Sequence, residues 1–164
     1  LCSSFKISPW GASSMTVLWD GIYITESIFY LNNSTSEHIF FTMDLGVTAK
    51  LSRFKFWGRN NWYFNLHHPK EIEIWGTNDP EVANSDPALG KDGIITVSTK
   101  PSGPDATAFA NLTTEDLALA RAGEEFEFPL EVPKVRYIRF RTVRTWTDSS
   151  SSFLGELTFW GQAN

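Results

Sequence analysis

The residues best suited to chemistry lie in one polar and aromatic segment, Gly58–Pro69, which reads GRNNWYFNLHHP. Trp and Tyr rings stack on the weakly polar C–H face of a sugar, while Arg, Asn and His side chains bond its hydroxyl groups. The segment joins two strand patterns, and binding residues concentrate in loops that a rigid scaffold holds. It therefore predicts a ligand-binding loop whose chemistry would suit a sugar, with the candidate ligand contacts Arg59, Asn61, Trp62, Tyr63, His67 and His68.

The alternative for the two adjacent aromatic residues is that they cap the core. Neighbouring side chains of an extended segment point in opposite directions, so only one of Trp62 and Tyr63 is expected to be free to stack. The paired His67 and His68 do not predict a transition-metal site, because adjacent loop histidines rarely converge on one ion and His38 is distant in the sequence.

A further aromatic candidate, Trp146, begins the serine-rich part of the segment Arg144–Phe153, which reads RTWTDSSSSF. Two roles are open for it: a second stacking platform for a ligand, or a seal over the end of the fold. Its solvent exposure, with that of Trp62 and Tyr63, separates a ligand-binding domain from a structural one.

Composition and charge exclude several function classes. A net charge of −5 argues against nucleic-acid binding, which relies on clustered positive charge. No run reaches the roughly 18 apolar residues that a membrane span needs, and Cys2, the single cysteine, excludes an internal disulfide. The chain also contains no nucleophile elbow, HExxH motif or phosphate loop, so we expect a domain that is not an enzyme.

The elements that must position these residues are short strands. Alternation of apolar and polar residues predicts an all-β fold of antiparallel sheets with one buried face each. One short helix is expected after the N-cap Thr113, with a stop at Gly123. The predicted strands are Met15–Trp19, Ile39–Leu45, Leu51–Trp57, Glu71–Trp75, Ile94–Ser98, Phe126–Val132, Val135–Val143 and Glu156–Trp160.

The two strands around Pro133 allow a register hypothesis. If Phe128 faces Ile138, the apolar residues of both segments share one face, and the opposite face pairs glutamates with arginines. The alternative is that the two segments lie in different sheets.

Six short motifs, taken in order, resemble the discoidin-like domains, also called coagulation factor V/VIII type C domains. They are Leu18–Gly21 (LWDG), Phe41–Gly46 (FTMDLG), Leu51–Phe56 (LSRFKF), Glu73–Asp79 (EIWGTND), Val135–Phe140 (VRYIRF) and Gly155–Gly161 (GELTFWG). The motif sequences are similar to those of a subgroup found in surface lipoproteins of polysaccharide-utilisation systems of Bacteroidetes.

This resemblance implies an eight-stranded jelly-roll β-sandwich of the galactose-binding-like superfamily, with ligand loops at one end. It implies a non-catalytic carbohydrate-binding module, and the alternative is a structural or protein-interaction spacer of a cell-surface protein. We expect residues 1–164 to form one domain cut from a longer extracytoplasmic protein, with a lipid anchor outside this chain. The expected partner is a glycan, without nucleic acid and without direct membrane insertion.

The resemblance also implies a structural Ca²⁺. Relatives hold the ion with an Asp after the first strand, a Thr and a C-terminal Glu, and Asp20, Thr25 and Glu156 match those positions. Ca²⁺ takes six to eight oxygen ligands, so carbonyls or water must complete the set. The alternative is that Asp20 closes a local turn at Gly21 and Glu156 pairs with an arginine.

Overall fold

The computed structural model describes residues 3–7, 15–32, 39–85, 93–98, 101 and 111–163. The strands in these ranges are β1 (Ser3–Ile7), β2 (Phe29–Asn32), β3 (Ile39–Trp57), β4 (Pro69–Thr77), β5 (Gly93–Val97), β6 (Glu124–Glu127), β7 (Val135–Thr145), β8 (Ser151–Leu154) and β9 (Glu156–Ala163). A 3-10 helix (Met15–Trp19) precedes β2, and the α-helices are α1 (Pro80–Ala83) and α2 (Thr114–Ala122). The predicted all-β sandwich is confirmed.

The strand β3 connects the two layers of the sandwich. Its first half, up to Asp44, pairs with β1 and β7, while its second half, from Ala49, pairs with β6 and β9. The change of partner falls at Gly46, whose φ of 74° is the left-handed conformation that glycine adopts without steric cost. The first layer therefore has the order β1-β3-β7-β4-β5, and β2 and β8 form a separate ribbon.

Phenylalanine rings fill the space between the layers. Phe54 and Phe56, from the second half of β3, meet the ring of Phe140 on β7 at centroid distances of 6.5 and 6.3 Å. Phe41 stacks on the same ring at 5.4 Å. Since these four side chains are at most 1% exposed, much of the high aromatic content of the sequence serves the core.

The register hypothesis for the strands around Pro133 is wrong. β6 pairs with the second half of β3, where Phe126 lies opposite Phe54, and β7 lies in the other layer. Strand β3 satisfies the same pattern, because it too alternates aromatic and basic residues: Arg53 and Lys55 both pair with Glu125. The predicted strand also ends early, at Glu127, and Leu130 is 82% exposed in the turn that follows.

The predicted strand at Met15–Trp19 is a 3-10 helix instead. Its buried residues, Met15 and Leu18, are three apart, which places them on one side of a helix with three residues per turn. Five residues cannot distinguish this spacing from strand alternation when Val17 and Trp19, the neighbours of Leu18, are also apolar.

Helix α2 confirms the predicted start and end. The Thr113 hydroxyl accepts from the amide of Asp116, and the Asp116 carboxylate accepts from the amide of Thr113, which is a capping box. Gly123 follows with a φ of 84°, and a Cβ there would lie 2.3 Å from the Trp57 ring. The helix is thus fixed against the end of β3, next to the loop that starts at residue 58.

An ion pair closes the turn at which β3 changes layers. Arg136 donates two 2.9 Å hydrogen bonds to Asp44, whose pKa is lowered chiefly by this arginine. We expect Asp44→Asn to lower the free energy of unfolding at pH 7 by about 1 kcal/mol. Because the folded-state pKa is depressed, this contribution is present above the unfolded pKa of about 3.9 and is lost as the pH falls through the folded value. Urea denaturation at pH 7 and pH 3 should give a difference between the two proteins that shrinks in acid.

Candidate functional site

The loop of residues 58–68 is held in a single conformation by its neighbours. Asn60 donates its amide to the carbonyl of Thr25 at 2.9 Å, and Tyr63 and Phe64 pack with Ala120 of α2 in a small apolar cluster. Asn61, Phe64 and Leu66 have positive φ values of 66°, 52° and 43°. Such conformations cost about 1–3 kcal/mol each and persist where the surroundings hold them, as packing does for Phe64 and the hydrogen bond to Glu26 does for Asn61.

The two adjacent aromatic residues of the loop have different environments. Tyr63 is 1% exposed and its hydroxyl donates to Asn60 Oδ1 at 3.3 Å, whereas Trp62 is only half-buried. The expectation that only one of them can stack on a ligand agrees with this difference in burial. A ligand could reach Tyr63 only if the loop were rearranged.

His68 lies under the loop. It is 1% exposed, its Nε2 lies 3.1 Å from Glu124 Oε1, and its ring packs between Phe56 and Phe64. The carbonyl of His68 also accepts from the amide of Trp146 at 3.1 Å. His68 therefore ties three segments together and presents no surface to a ligand.

His67 faces the other way and stays partly exposed. Its Nδ1 lies 2.6 Å from Ser149 Oγ, and its ring contacts those of Tyr30 and Phe153 edge-on. Burial lowers the pKa of His67 below its usual value, so the ring is neutral near pH 7.

Trp146 lies beside the loop, with several contacts of its own. Its Nε1 donates to Ser98 Oγ at 3.3 Å, Phe64 meets its ring edge-on, and the Lys70 ammonium lies 4.4 Å from its ring centroid. These contacts suit a residue that seals the end of the sandwich. The Lys70 ammonium also occupies the space over the ring that a stacked sugar would need.

The exposed part of the loop meets a second loop, residues 20–28. Glu26 accepts from Arg59 Nη2 at 3.3 Å and from Asn61 Nδ2 at 3.0 Å, and the Arg59 guanidinium lies 5.9 Å from the Trp62 ring centroid. Tyr23, 47% exposed, packs its ring 4.6 Å from that of Trp57. We call Tyr23, Glu26, Arg59, Asn61 and Trp62 the rim cluster; it combines a carboxylate, a guanidinium, an amide and two accessible aromatic rings.

Two members of the rim cluster, Tyr23 and Glu26, are not among the sequence-predicted ligand contacts. They belong to a loop whose sequence, GIYITES, gives no sign that it folds against residues 59–61. The one signal in the sequence was a tyrosine between two isoleucines, and the exposure of this tyrosine is known only from the structure.

The residues predicted to hold an ion also meet in this region. Glu156 is 4% exposed and accepts from the amide of Gly21 at 3.2 Å, while Asp20 accepts from the amide of Ile22 at 2.8 Å. Burial, together with the neighbouring Asp20 carboxylate, raises the pKa of Glu156 to about 7. Thr25 lies against Gly155, and its hydroxyl oxygen accepts from the amide of Ser27.

The turn at Asp20 that the alternative reading expects is therefore present. The arginine partner expected for Glu156 is not found among the described residues, where the carboxylate faces Gly21 and Asp20 instead. In the same residues no three His, Cys, Asp or Glu side chains gather around one point. The buried Glu156 carboxylate thus lies beside the exposed Asp20 carboxylate, with no basic partner among the residues that the structure describes.

Comparison with known proteins places the chain. A family model described as DUF5000, a domain of unknown function, matches residues 19–161. The chain belongs to this family. The DUF5000 domain has no match among curated protein sequences, and none of its described helices is long and apolar enough to cross a membrane.

Solved structures show the same fold as this DUF5000 domain. A SusE-like protein superposes with a TM-score of 0.81 at 26% identity, over 98% of this chain and 96% of the other. The module CBM32-3 from a family 31 glycoside hydrolase of Clostridium perfringens gives 0.68 at 16% identity, over 98% and 91%. An F5/8 type C domain from Bacteroides fragilis gives 0.55 at 10%, over 91% and 81%. The discoidin-like resemblance drawn from the six motifs is confirmed.

Proposed function

We propose that this domain binds glycan through the rim cluster and catalyses no reaction. The observation that carries the proposal is that Glu26, Arg59 and Asn61 form one hydrogen-bonded group beside the half-buried ring of Trp62. The ring supplies a flat apolar surface for the C–H face of a sugar, and the three polar side chains supply a carboxylate acceptor and N–H donors for its hydroxyl groups. His67, which is partly exposed on the other side of the loop, extends the polar surface.

The similar structures support this assignment. One is named as a module of a glycoside hydrolase, and another is a lectin domain in complex with Lewis B antigen, with a TM-score of 0.54 at 15% identity. The SusE-like protein supports a place in a surface system for polysaccharide utilisation, and we propose an extracytoplasmic location with an anchor outside this chain.

A second function, docking of a neighbouring protein or domain, has one observation in its favour. Ile22 and Ile24 are each 53% exposed and flank Tyr23, so the loop presents consecutive apolar side chains to solvent. Binding of an isolated glycan by the domain alone separates the two functions, because a spacer needs no sugar.

The proposal is tested by screening the domain on an array of plant, fungal and host glycans, followed by calorimetry on each glycan that it retains. We expect saturable binding of at least one oligosaccharide, in the micromolar to millimolar range that a shallow site with few contacts gives. If the protein retains no glycan at millimolar ligand, the function is that of a spacer or docking domain.

We also propose a structural Ca²⁺ held by Asp20 and Glu156, with backbone carbonyls and water completing its oxygen ligands. The buried carboxylate of Glu156 lies beside the exposed carboxylate of Asp20, and no basic group among the described residues balances their charge, which suits a divalent cation. Thr25 faces Gly155 with its methyl group and its hydroxyl oxygen accepts from the amide of Ser27, so its side chain is not among the ligands that we propose. Bound Ca²⁺ would fix the loop of residues 20–28, and with it Tyr23 and Glu26 of the rim cluster.

Millimolar CaCl₂ should therefore raise the Tm of the wild-type domain relative to EDTA, by several degrees, because a ligand that binds only the folded state stabilises it. Glu156→Gln should remove this response without lowering the Tm measured in EDTA, since the amide carries no buried charge. Glu131→Gln, an exposed position elsewhere, serves as the matched control and should respond like the wild type. Equal Tm values of the wild type in both buffers would exclude the ion.

A further inference from the structure

The charge balance of the rim cluster determines which glycans it can accept. Arg59 is the cation that directly faces the Trp62 ring, and its guanidinium is already paired with Glu26, which also accepts from Asn61. Hydroxyl groups of a sugar can add to this group as donors and acceptors without displacing either charge. A carboxylate or sulfate on the ligand would have to compete with Glu26 for the same guanidinium.

Three other cations lie near the loop: Lys55, Arg121, and Lys70, whose ammonium lies 4.4 Å from the Trp146 ring centroid. Lys55 is paired with Glu125 at 3.2 Å. Arg121 lies at the end of α2. Burial raises the pKa of Tyr63, and the positive charge of Arg121 partly offsets this rise. The buried Glu124 begins the next strand. Asp20 and Glu156 add negative charge behind the loop of residues 20–28.

We propose, on the basis of the glycan-binding function above, that the rim cluster selects uncharged glycans over uronate-containing or sulfated ones and that Glu26 is the residue that enforces this choice. Glu26 acts twice. It accepts hydrogen bonds from the hydroxyl groups of a neutral sugar. Its negative charge also offsets the positive charge of Arg59, which would otherwise attract an anionic sugar. Its side chain is 56% exposed, so it can contact a ligand directly.

The test compares two polysaccharides with their carboxylated counterparts by affinity electrophoresis and calorimetry: dextran with carboxymethyl-dextran, and hydroxyethyl-cellulose with carboxymethyl-cellulose. Measurements are made both in CaCl₂, which would keep the loop of residues 20–28 in place, and in EDTA, because Ca²⁺ at Asp20 and Glu156 would itself attract a ligand carboxylate. For any pair with a bound member, we expect the neutral form to bind about tenfold more tightly, the size of one like-charge contact at the protein surface.

The decisive variant is Glu26→Gln, which keeps the shape and the acceptor oxygen but releases the charge of Arg59. We expect its affinity for the neutral polymer to fall by roughly three- to tenfold and its affinity for the carboxylated polymer to rise by a similar factor, so that the preference is abolished or reversed. Glu131→Gln makes the same change of net charge at an exposed turn and should leave the ratio as in the wild type.

The outcomes separate this inference from the function on which it rests. If the wild type binds the carboxylated polymers as well as the neutral ones, or if Glu26→Gln leaves the ratio unchanged, the selection by charge is wrong and glycan binding stands. If neither these polymers nor the arrayed glycans are retained, the glycan-binding function itself is wrong.

Discussion

Replacing Trp62 by alanine is expected to weaken glycan binding by at least about tenfold while leaving the Tm nearly unchanged. Stacking of an aromatic ring contributes about 0.5–1.5 kcal/mol in addition to the apolar area that it buries, and one factor of ten corresponds to about 1.4 kcal/mol. The ring is half-buried and lies at the surface of the loop, so its loss leaves the packed residues Tyr63 and Phe64 in place. Calorimetric titration with the glycan from the array, together with thermal unfolding of both proteins, measures the two quantities.

Trp146→Ala is the matched control for this variant. Its ring contacts Phe64, Lys70 and Ser98, so we expect the opposite result: a loss of about 2–3 kcal/mol in the free energy of unfolding and a smaller loss of affinity. If Trp146→Ala abolishes binding and Trp62→Ala does not, the glycan stacks beside Lys70 and the rim cluster is not the site.

Replacing His68 by alanine is expected to cause the largest loss of stability, about 3–5 kcal/mol. The change removes a ring packed against Phe56, Phe64 and Phe153, and it leaves the 4%-exposed Glu124 without its partner. A cavity in a core and an unpaired buried carboxylate each cost several kcal/mol. Urea denaturation monitored by tryptophan fluorescence measures the loss.

The adjacent His67 provides the control for His68. It is partly exposed and bonds one serine hydroxyl, so His67→Ala should cost only about 1 kcal/mol. Equal losses for the two variants would mean that the buried pair does not hold the loop. In the double variant His68→Leu/Glu124→Gln an amide replaces the carboxylate, so no unpaired buried charge remains. This variant should recover part of the lost stability.

Much of the fold could be predicted because the local pattern and the global structure agree. Alternation in Leu51–Trp57 and Glu71–Trp75 marks faces that are buried or exposed as expected, and the capping box at Thr113 forms as its sequence indicates. Strand partners were harder to predict. Glu125 finds its basic partners on β3, although β7 offered similar ones, because alternation defines the face of a strand and not its neighbour.

The candidate site was only partly predictable for a related reason. Residue types point to the loop, but which of its side chains face outward depends on positive φ values at Asn61, Phe64 and Leu66, two of which are at residues that rarely adopt them. Glu26 and Tyr23 come from a loop some 35 residues away, and a single sequence carries no record of that contact.

Binding at the rim cluster is tested most directly by a backbone amide NMR titration of the domain with the best glycan from the array. We predict that the amide shifts will change at residues 22–27 and 58–67, where the two loops meet, and that signals near Leu130, at a turn far along the chain, will stay unchanged. Shift changes centred on Leu130 and its neighbours, or none during saturable binding, would contradict the location proposed for the glycan.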